Sequence, residues 1–432
     1  MRRFLFLILV AAAGVVPARA QQADTSPATT LQVTLDEAIR RALGVQPAMV
    51  QATGNTRNAD AARLATWGTF LPVVTAGGSA SLNSQGRFDA NSQRIIPPVW
   101  NYGTNLSISV DLFTGLRRMW NLRSASANVD AAEAGGVTQR FQTTLLTKQT
   151  FYNAIATEEL VHVAEAQVRR AQSEFEVAVQ KLRAGSATRS DSLRAAVDFG
   201  NARIALLQAQ ANLATAQANL GRQIGVDQQV RAVPDSSLAS FPDTAALRDA
   251  LMESAPQVVQ ADAQARAARA GVLSSRSQYV PTLNLSYGAN RQDTIFSNAF
   301  TANATHTWRF GLTWTLFNGF AREQAQVTAN VQRDIAESQA ADARRSVVAQ
   351  FTQQAAALAT AREQVDIAGV NVDAATEDLR VQQERYRVGA STILDLLTSE
   401  ANLTQAQTNL VQARFNYNIS RAQLEALVGR TL

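Results

Sequence analysis

Few residues in this 432-residue chain are equipped for bond-making chemistry. There are two histidines, His162 and His306, and no cysteine. Neither histidine belongs to a cluster with metal-ligand spacing, so no metal and no cofactor is expected. His162 follows Val161 in a helical stretch and His306 stands at the start of a strand, and both read as structural. No glycine-rich phosphate loop is present, and the chain is not expected to be an enzyme. The polar residues that stand out lie beside breaks in the pattern. Asp191 follows the Gly185 break and suits the positive end of a helix dipole. Tyr386 ends a heptad seam, and Arg117-Arg118 follows a strand, where it suits an interfacial anchor.

The elements that must carry these residues centre on the stretch from Trp308 to Gly389. Trp308, Phe310, Leu312, Trp314 and Leu316 alternate with Arg309, Gly311, Thr313 and Thr315, which reads as a strand through Phe317. After Asn318-Gly319 the period changes to that of a helix, from about Ala321 to Tyr386. Phe351, Leu358, Val365, Val372, Leu379 and Tyr386 recur every seven residues. Such a helix measures on the order of 100 Å, longer than an ordinary domain.

Outside this stretch, Arg2-Arg3, an apolar run from Phe4 to Val16 and Ala18-Arg19-Ala20 read as a signal peptide, residues 1–20. Removing Arg2, Arg3 and Arg19 takes the net charge from +5 to +2, with 37 basic and 35 acidic residues left. With no Lys/Arg block, nucleic acid is not an expected partner. Gln21 to Thr30 is polar, and Thr34 with Glu37 caps a helix to about Thr66 that breaks or kinks at Pro47. A strand follows over Val74 to Leu82, then a loop from Gln85 to Tyr102, then a strand from Leu106 to Leu112. A long helix over about Arg117 to Leu182 carries the seam Val161, Val168, Phe175 and Leu182. Its partner from Arg189 carries Phe199, Leu206, Leu213 and Leu220. Between Gly225 and Asp243 the prolines Pro234 and Pro242 mark a linker.

The pattern then restarts at Thr244. Leu283, Leu285, Tyr287 and Ala289 form the next strand, with a loop from Arg291 to about Ala304. The final helix carries Leu396, Leu403, Leu410, Tyr417 and Leu424. Pro47 and Pro72 map to Pro256 and Pro281 at an offset of 209; Leu112-Phe-Thr-Gly115 and Gly185 map to Leu316-Phe-Asn-Gly319 and Gly389 at 204. The chain is therefore read as residues 21–233, a linker 234–243 and residues 244–432, two structural repeats.

Four strands of about ten residues, each apolar on one face, fit a transmembrane barrel wall; a half-buried sheet in a soluble sandwich shows the same alternation. No helical run suits the membrane. Trp308, Trp314 and Phe317 suit an aromatic girdle at the membrane interface. Four strands cannot close, so several chains must share one barrel; two are the minimum, and three would supply twelve strands. The helices, repeated around an axis, would make a hollow cylinder with polar Gln, Asn, Ser and Thr inside; the competing arrangement is a solid bundle.

With Thr34-Leu-Asp-Glu-Ala-Ile-x-x-Ala-Leu, Pro47, the two Leu-Phe-x-Gly turns, Tyr386-Arg-Val-Gly389 and Ile393-Leu-Asp-Leu-Leu397, the chain resembles the TolC family of outer-membrane efflux and secretion channels. The resemblance covers nearly the whole chain after residue 20. It implies an α+β membrane protein: a homotrimer with a twelve-stranded β-barrel in the outer membrane lipid and an α-helical tunnel through the periplasm. It implies an exit duct for small molecules or drugs, working with a periplasmic adaptor and an inner-membrane pump. The exit duct of a type I protein secretion system is the alternative with the same fold; a non-conducting periplasmic coiled-coil scaffold is the alternative without a pore. The turns at Gly185 and Gly389 then correspond to the periplasmic tip. Asp191 and Tyr386 correspond to a pair tying the inner helices to their neighbours, and Asp395 to the first of two constriction carboxylates. Thr398 stands where the second carboxylate belongs and Ser391 where an arginine tie belongs, which implies three carboxylates at the ring and a differently held gate.

Overall fold

The computed structural model describes residues 31–82, 86–89, 93–96, 98–234, 247–248, 251 and 255–431. The expected signal peptide, the polar segment Gln21–Thr30, the expected linker beyond Pro234 and the expected helix start at Thr244 lie outside these residues.

The chain opens with β1 (Leu31–Val33), α1 (Leu35–Val45) and α2 (Pro47–Gly68). The helical pattern breaks where sequence places the break. Proline disfavours helical backbone in the residue before it, and Gln46 is extended (φ −63°, ψ 128°) while Pro47 starts α2. Next come β2 (Val73–Leu82), the short hairpin strands β3 (Arg87–Asp89) and β4 (Arg94–Ile96), and β5 (Trp100–Phe113). Then follow α3 (Arg117–Arg183), α4 (Arg189–Ile224) and β6 (Val230–Ala232). The second half has α5 (Pro256–Arg276), β7 (Thr282–Asp293), the one-turn α6 (Asn298–Thr301) and β8 (Thr305–Thr313). It ends with α7 (Ala321–Arg387) and α8 (Ile393–Val428). The long helices α3 and α7 have 67 residues each, and α4 and α8 have 36 each.

The helices pack side by side along α3 and α7. The shorter helices α2 and α4 flank different stretches of α3, while α5 and α8 each lie between α3 and α7. Phe351, Leu358, Val365, Leu379 and Tyr386 of α7 are buried, as are Leu396, Leu403, Tyr417 and Leu424 of α8. In the first half the heptad reading holds at Val161 and Leu220, which are buried, and fails elsewhere. Phe175, Leu182, Phe199, Leu206 and Leu213 are only half-buried, and Ala164, Ala171, Ala178, Ala195 and Ala202 are the buried positions. Here α3 must pack against α4 on one side and α8 on the other. Small side chains permit that double approach, and Phe175 and Phe199 stack beside it at 6.3 Å.

A four-stranded antiparallel sheet, ordered β2-β5-β7-β8, sits at one end of the helices. Val74, Ile108, Tyr287 and Trp308 stand in register across it, and so do Thr75, Ser107, Gly288 and Thr307 one residue away. One face is therefore apolar and aromatic and the other small and polar, as strand periodicity requires. The outer strands β2 and β8 each have one unpaired edge.

Several sequence expectations change. Trp100 to Tyr102 are strand, not loop, because β2 runs on to Leu82 and offers a partner to Trp100. Between β2 and β5 lies the β3–β4 hairpin. The strand beginning at Trp308 starts earlier, at Thr305, and ends at Thr313 rather than Phe317. Thr313 pairs with Thr282, the first residue of β7, and Pro281 before it has no N–H to extend the ladder. The expected loop from Arg291 continues β7 to Asp293 and contains α6. A parallel pair, β1 with β6, also joins the two ends of the first half, with β6 just ahead of the stretch read as linker. It closes over Val33, Ala38, Phe151, Leu220 and Ile224, all buried.

Candidate functional site

Two regions carry the residues singled out from sequence: the helical tip and the sheet-to-helix junction. At the tip, α3 and α7 each end on a glycine with left-handed backbone, Gly185 (φ +74°) and Gly389 (φ +82°). That conformation lets Ser186 donate back to Lys181 O at 2.9 Å and Ala390 to Arg385 O at 2.7 Å, using carbonyls that a helix end leaves orphaned. The next helices start on identical capping boxes. The amide of Thr188 donates to Asp191 Oδ2 at 3.0 Å and the amide of Asp191 to Thr188 Oγ1 at 3.2 Å. Thr392 and Asp395 repeat these distances. Hydrogen bonds from Thr188 hold the Asp191 carboxyl below its ordinary range, and those from Thr392 do the same for Asp395.

Asp191 and Asp395 are thus one structural feature met twice. The Asp191 carboxylate is taken up by Thr188, and the buried hydroxyl of Tyr386 has no hydrogen-bond partner. Lys181 ties the ends of α3 and α7, beside Val177, which packs against the cluster of Leu379 and Tyr386. Its ammonium lies 4.1 Å from the Tyr386 ring centroid and donates to the Tyr386 carbonyl. Asp395 is exposed at the start of α8. Thr398 is also exposed and returns its hydroxyl to Leu394 O at 2.8 Å, the usual use of threonine inside a helix. Ser391 donates to Gln382 O at 3.5 Å.

Higher along the helices the structure adds charged groups that sequence reading missed. Arg170 Nε lies 3.4 Å from Glu400 Oε1, and Lys148 pairs with Glu425 in another largely buried contact between α3 and α8. Glu174 is buried in the same interface as Glu400. A signal was available: Glu400 falls four residues after Leu396 and three before Leu403, on the stripe that must be buried.

At the junction, Gly115 and Gly319 (φ +62° and +66°) are each followed by a second left-handed residue, Leu116 and Phe320. Two such residues in succession turn strand into helix. Arg118, read as an interfacial anchor, donates to Thr69 O at 2.8 Å and to Asp111 O, with Phe70 under its guanidinium. Its counterpart Arg322 donates to Thr315 O and Leu316 O at 2.8 and 2.7 Å, over the Tyr279 ring. Both arginines staple strand end to helix start. Trp308 is 69% exposed and Phe317 equally so; Trp314 is exposed too, its indole donating to Tyr279 O at 3.2 Å. His306 meets the Tyr287 hydroxyl at 2.7 Å, and His162 lies 3.6 Å from Glu165. Among the described residues no His, Cys, Asp and Glu cluster could hold a metal, and no helix is long and apolar enough to cross a membrane.

The family of outer membrane efflux proteins matches this chain over residues 38–226 and 247–430. The pyoverdine export outer membrane protein OpmQ of Pseudomonas putida is 26% identical over 413 residues, covering 91% of this chain and 84% of OpmQ. TolC of Escherichia coli is 24% identical over 353 residues, 75% of this chain and 69% of TolC. Among solved structures, the outer membrane protein VceC of Vibrio cholerae superposes with a TM-score of 0.79 at 16% identity, covering 92% of this chain and 96% of VceC. The likeness to VceC is one of fold along nearly the whole of both chains. The chain belongs to the outer membrane efflux protein family, and it is an outer-membrane exit channel of an efflux system that reaches into the periplasm.

Proposed function

We propose that three copies of the chain form one conduit, with a twelve-stranded barrel in the outer membrane and a helical tunnel below it. The observation that carries this reading is the sheet itself. It has an exposed apolar face, a polar face and two unpaired edges, β2 and β8. Hydrocarbon offers no donor or acceptor to such edges, so they must meet edges of other copies. The 14 residues of β5 extend over about 45 Å at ~3.3 Å per residue, enough to cross a bilayer at the tilt of barrel strands. Apolar side chains also remain exposed on both flanks of the helical layer, Val197 and Ile204 of α4 and Val331 and Val370 of α7. Exposed Gln–Asn pairs such as Gln208–Asn212 and Gln405–Asn409 suit a water-filled lumen.

In this reading residues 21–233 and 244–432 are the two repeats, joined by 234–243 after a signal peptide of residues 1–20. Gly185 and Gly389 form the periplasmic tip, where an adaptor and an inner-membrane pump connect. Tyr386, held by Lys181, keeps α7 against α3, and Asp191 supports the start of α4 nearby. Asp395, from each copy, makes the constriction ring, with Thr398 one turn further along. Trp308, Trp314 and Phe317 meet the membrane interface. The export function in the name of OpmQ supports a small-molecule cargo.

Single-channel recording in planar bilayers tests the proposal. Small cation-selective steps that lose their selectivity in Asp395→Ala are expected, because a ring of carboxylates attracts cations. Folded, membrane-inserted protein that never conducts would overturn it.

A further inference from the structure

Glu174 on α3 and Glu400 on α8 are 6% and 3% exposed, and their carboxyls interact across the contact between the two halves. None of their four carboxyl oxygens makes a well-formed hydrogen bond among the described residues, with Gln383 beside Glu174 and Arg170 beside Glu400. The cation beside them is Arg170, but its Nη2 donates to Thr404 Oγ1 at 3.3 Å and its Nε makes no hydrogen bond. Among the described residues no other cation bears on either carboxyl; Lys181 lies over the Tyr386 ring and Arg194 of α4 bears on Asp191. Asp198 of α4 bears on both carboxyls, and Gln383 and Tyr386 of α7 face Glu174; Asp191 of α4 bears on Tyr386. Two ionised carboxylates out of water, with a third nearby and one guanidinium, would leave negative charge buried without compensation.

One proton resolves this. A protonated carboxyl is a donor, so its O–H can serve the carboxylate opposite, and Arg170 then balances the single charge that remains. We infer that Glu174 and Glu400 form a one-proton clasp between α3 and α8, and that losing this proton loosens the two repeats just above the tip. Glu174 precedes the end of α3 by nine residues and Glu400 follows the start of α8 by seven, about 14 and 10 Å along the helices.

Burial pushes Glu174 up to about 9, and burial likewise raises Glu400. The sign follows. The closed interface keeps a proton that a free carboxyl, at 4.5, gives up. The clasp is therefore fully formed below that ordinary value and is lost as pH rises through the folded one. The inference concerns one interface within the chain and holds whether or not the tip conducts.

The absence of cysteine makes the test clean. Gln172→Cys on α3 and Gln405→Cys on α8, both at exposed positions, take spin labels on either side of the clasp. Pulsed electron resonance on the purified full-length protein should show a longer-distance population that grows with pH from about 6 to 9.5, by at most about tenfold per pH unit for one proton. In Glu174→Gln, which keeps a neutral donor, the distances should stay short throughout. Infrared spectra near neutral pH should show a protonated-carboxyl band that Glu174→Gln and Glu400→Gln each remove. If Glu174→Gln does not fold by circular dichroism, Glu400→Gln serves in both measurements. A missing band, or distances that do not respond to pH, or the same response in the glutamine variant, would overturn the inference.

Discussion

Lys181 is the residue on which the tip reading can be broken. Its ammonium caps the Tyr386 ring and the carbonyl of the same residue, so one side chain holds the ends of α3 and α7 together. Replacing it by methionine keeps most of the stem and removes the charge. The cation–π contact is worth about 0.5–1 kcal/mol at a partly exposed site. A hydrogen bond from a charged donor adds about 1.5 kcal/mol net. Together about 2 kcal/mol per chain would be lost, which shifts a closed-to-open equilibrium by about 30-fold, since ~1.4 kcal/mol is a factor of ten. The assay is open probability in planar bilayers, with Tyr386→Phe as the control. The Tyr386 hydroxyl has no partner, so removing it should change the open probability by less than about threefold. A Lys181→Met channel that gates like the parent would refute the tie. A Tyr386→Phe channel that opens as readily as Lys181→Met would return the role to the hydroxyl.

Two further outcomes follow from the same geometry. The carboxyls of Asp191 and Asp395 are held below the ordinary Asp value of 3.8, chiefly by Thr188 and Thr392. Their support for the first turns of α4 and α8 is present above that value and is lost as pH falls through the lowered ones, so amide exchange at both turns should quicken together in acid. Thr392→Ala should reproduce this at neutral pH for α8 alone, at a cost of about 1 kcal/mol. At the junction, Gly115→Ala should lower the thermal midpoint more than Gly319→Ala. Both face the left-handed penalty of about 1–2 kcal/mol. Only at Gly115 would the added methyl also meet a backbone oxygen, Ser277 O at 2.8 Å, whereas Gly319 has open space.

The sequence by itself determined everything local and periodic. The alternation of Trp308, Phe310 and Leu312 required a two-faced strand, because strand side chains must take opposite sides. Pro47 and Pro256 placed the helix starts, and Gly185 and Gly389 the helix ends, because each restricts or frees its own backbone. The offsets of 209 before the strand loops and 204 after them make the two halves legible in the sequence. What depends on residues meeting from distant parts of the chain was decided only by the tertiary structure. The heptad spacing of Phe175 and Phe199 gives no hint that α3 has two neighbours, which leaves alanines buried in their place. Pairing of Leu31–Val33 with Val230–Ala232 joins segments too short to carry a pattern of their own. Asp191 reads as a helix-start carboxylate and Asp395, by resemblance, as a constriction carboxylate, but whether such a group caps its own helix or reaches a neighbour depends on which donor stands within hydrogen-bond distance. Glu400 falls on the buried stripe of Leu396 and Leu403, but nothing in the sequence places Glu174 opposite it. Only the packing of α3 on α8 removes water from both and turns two carboxylates into a place for one proton.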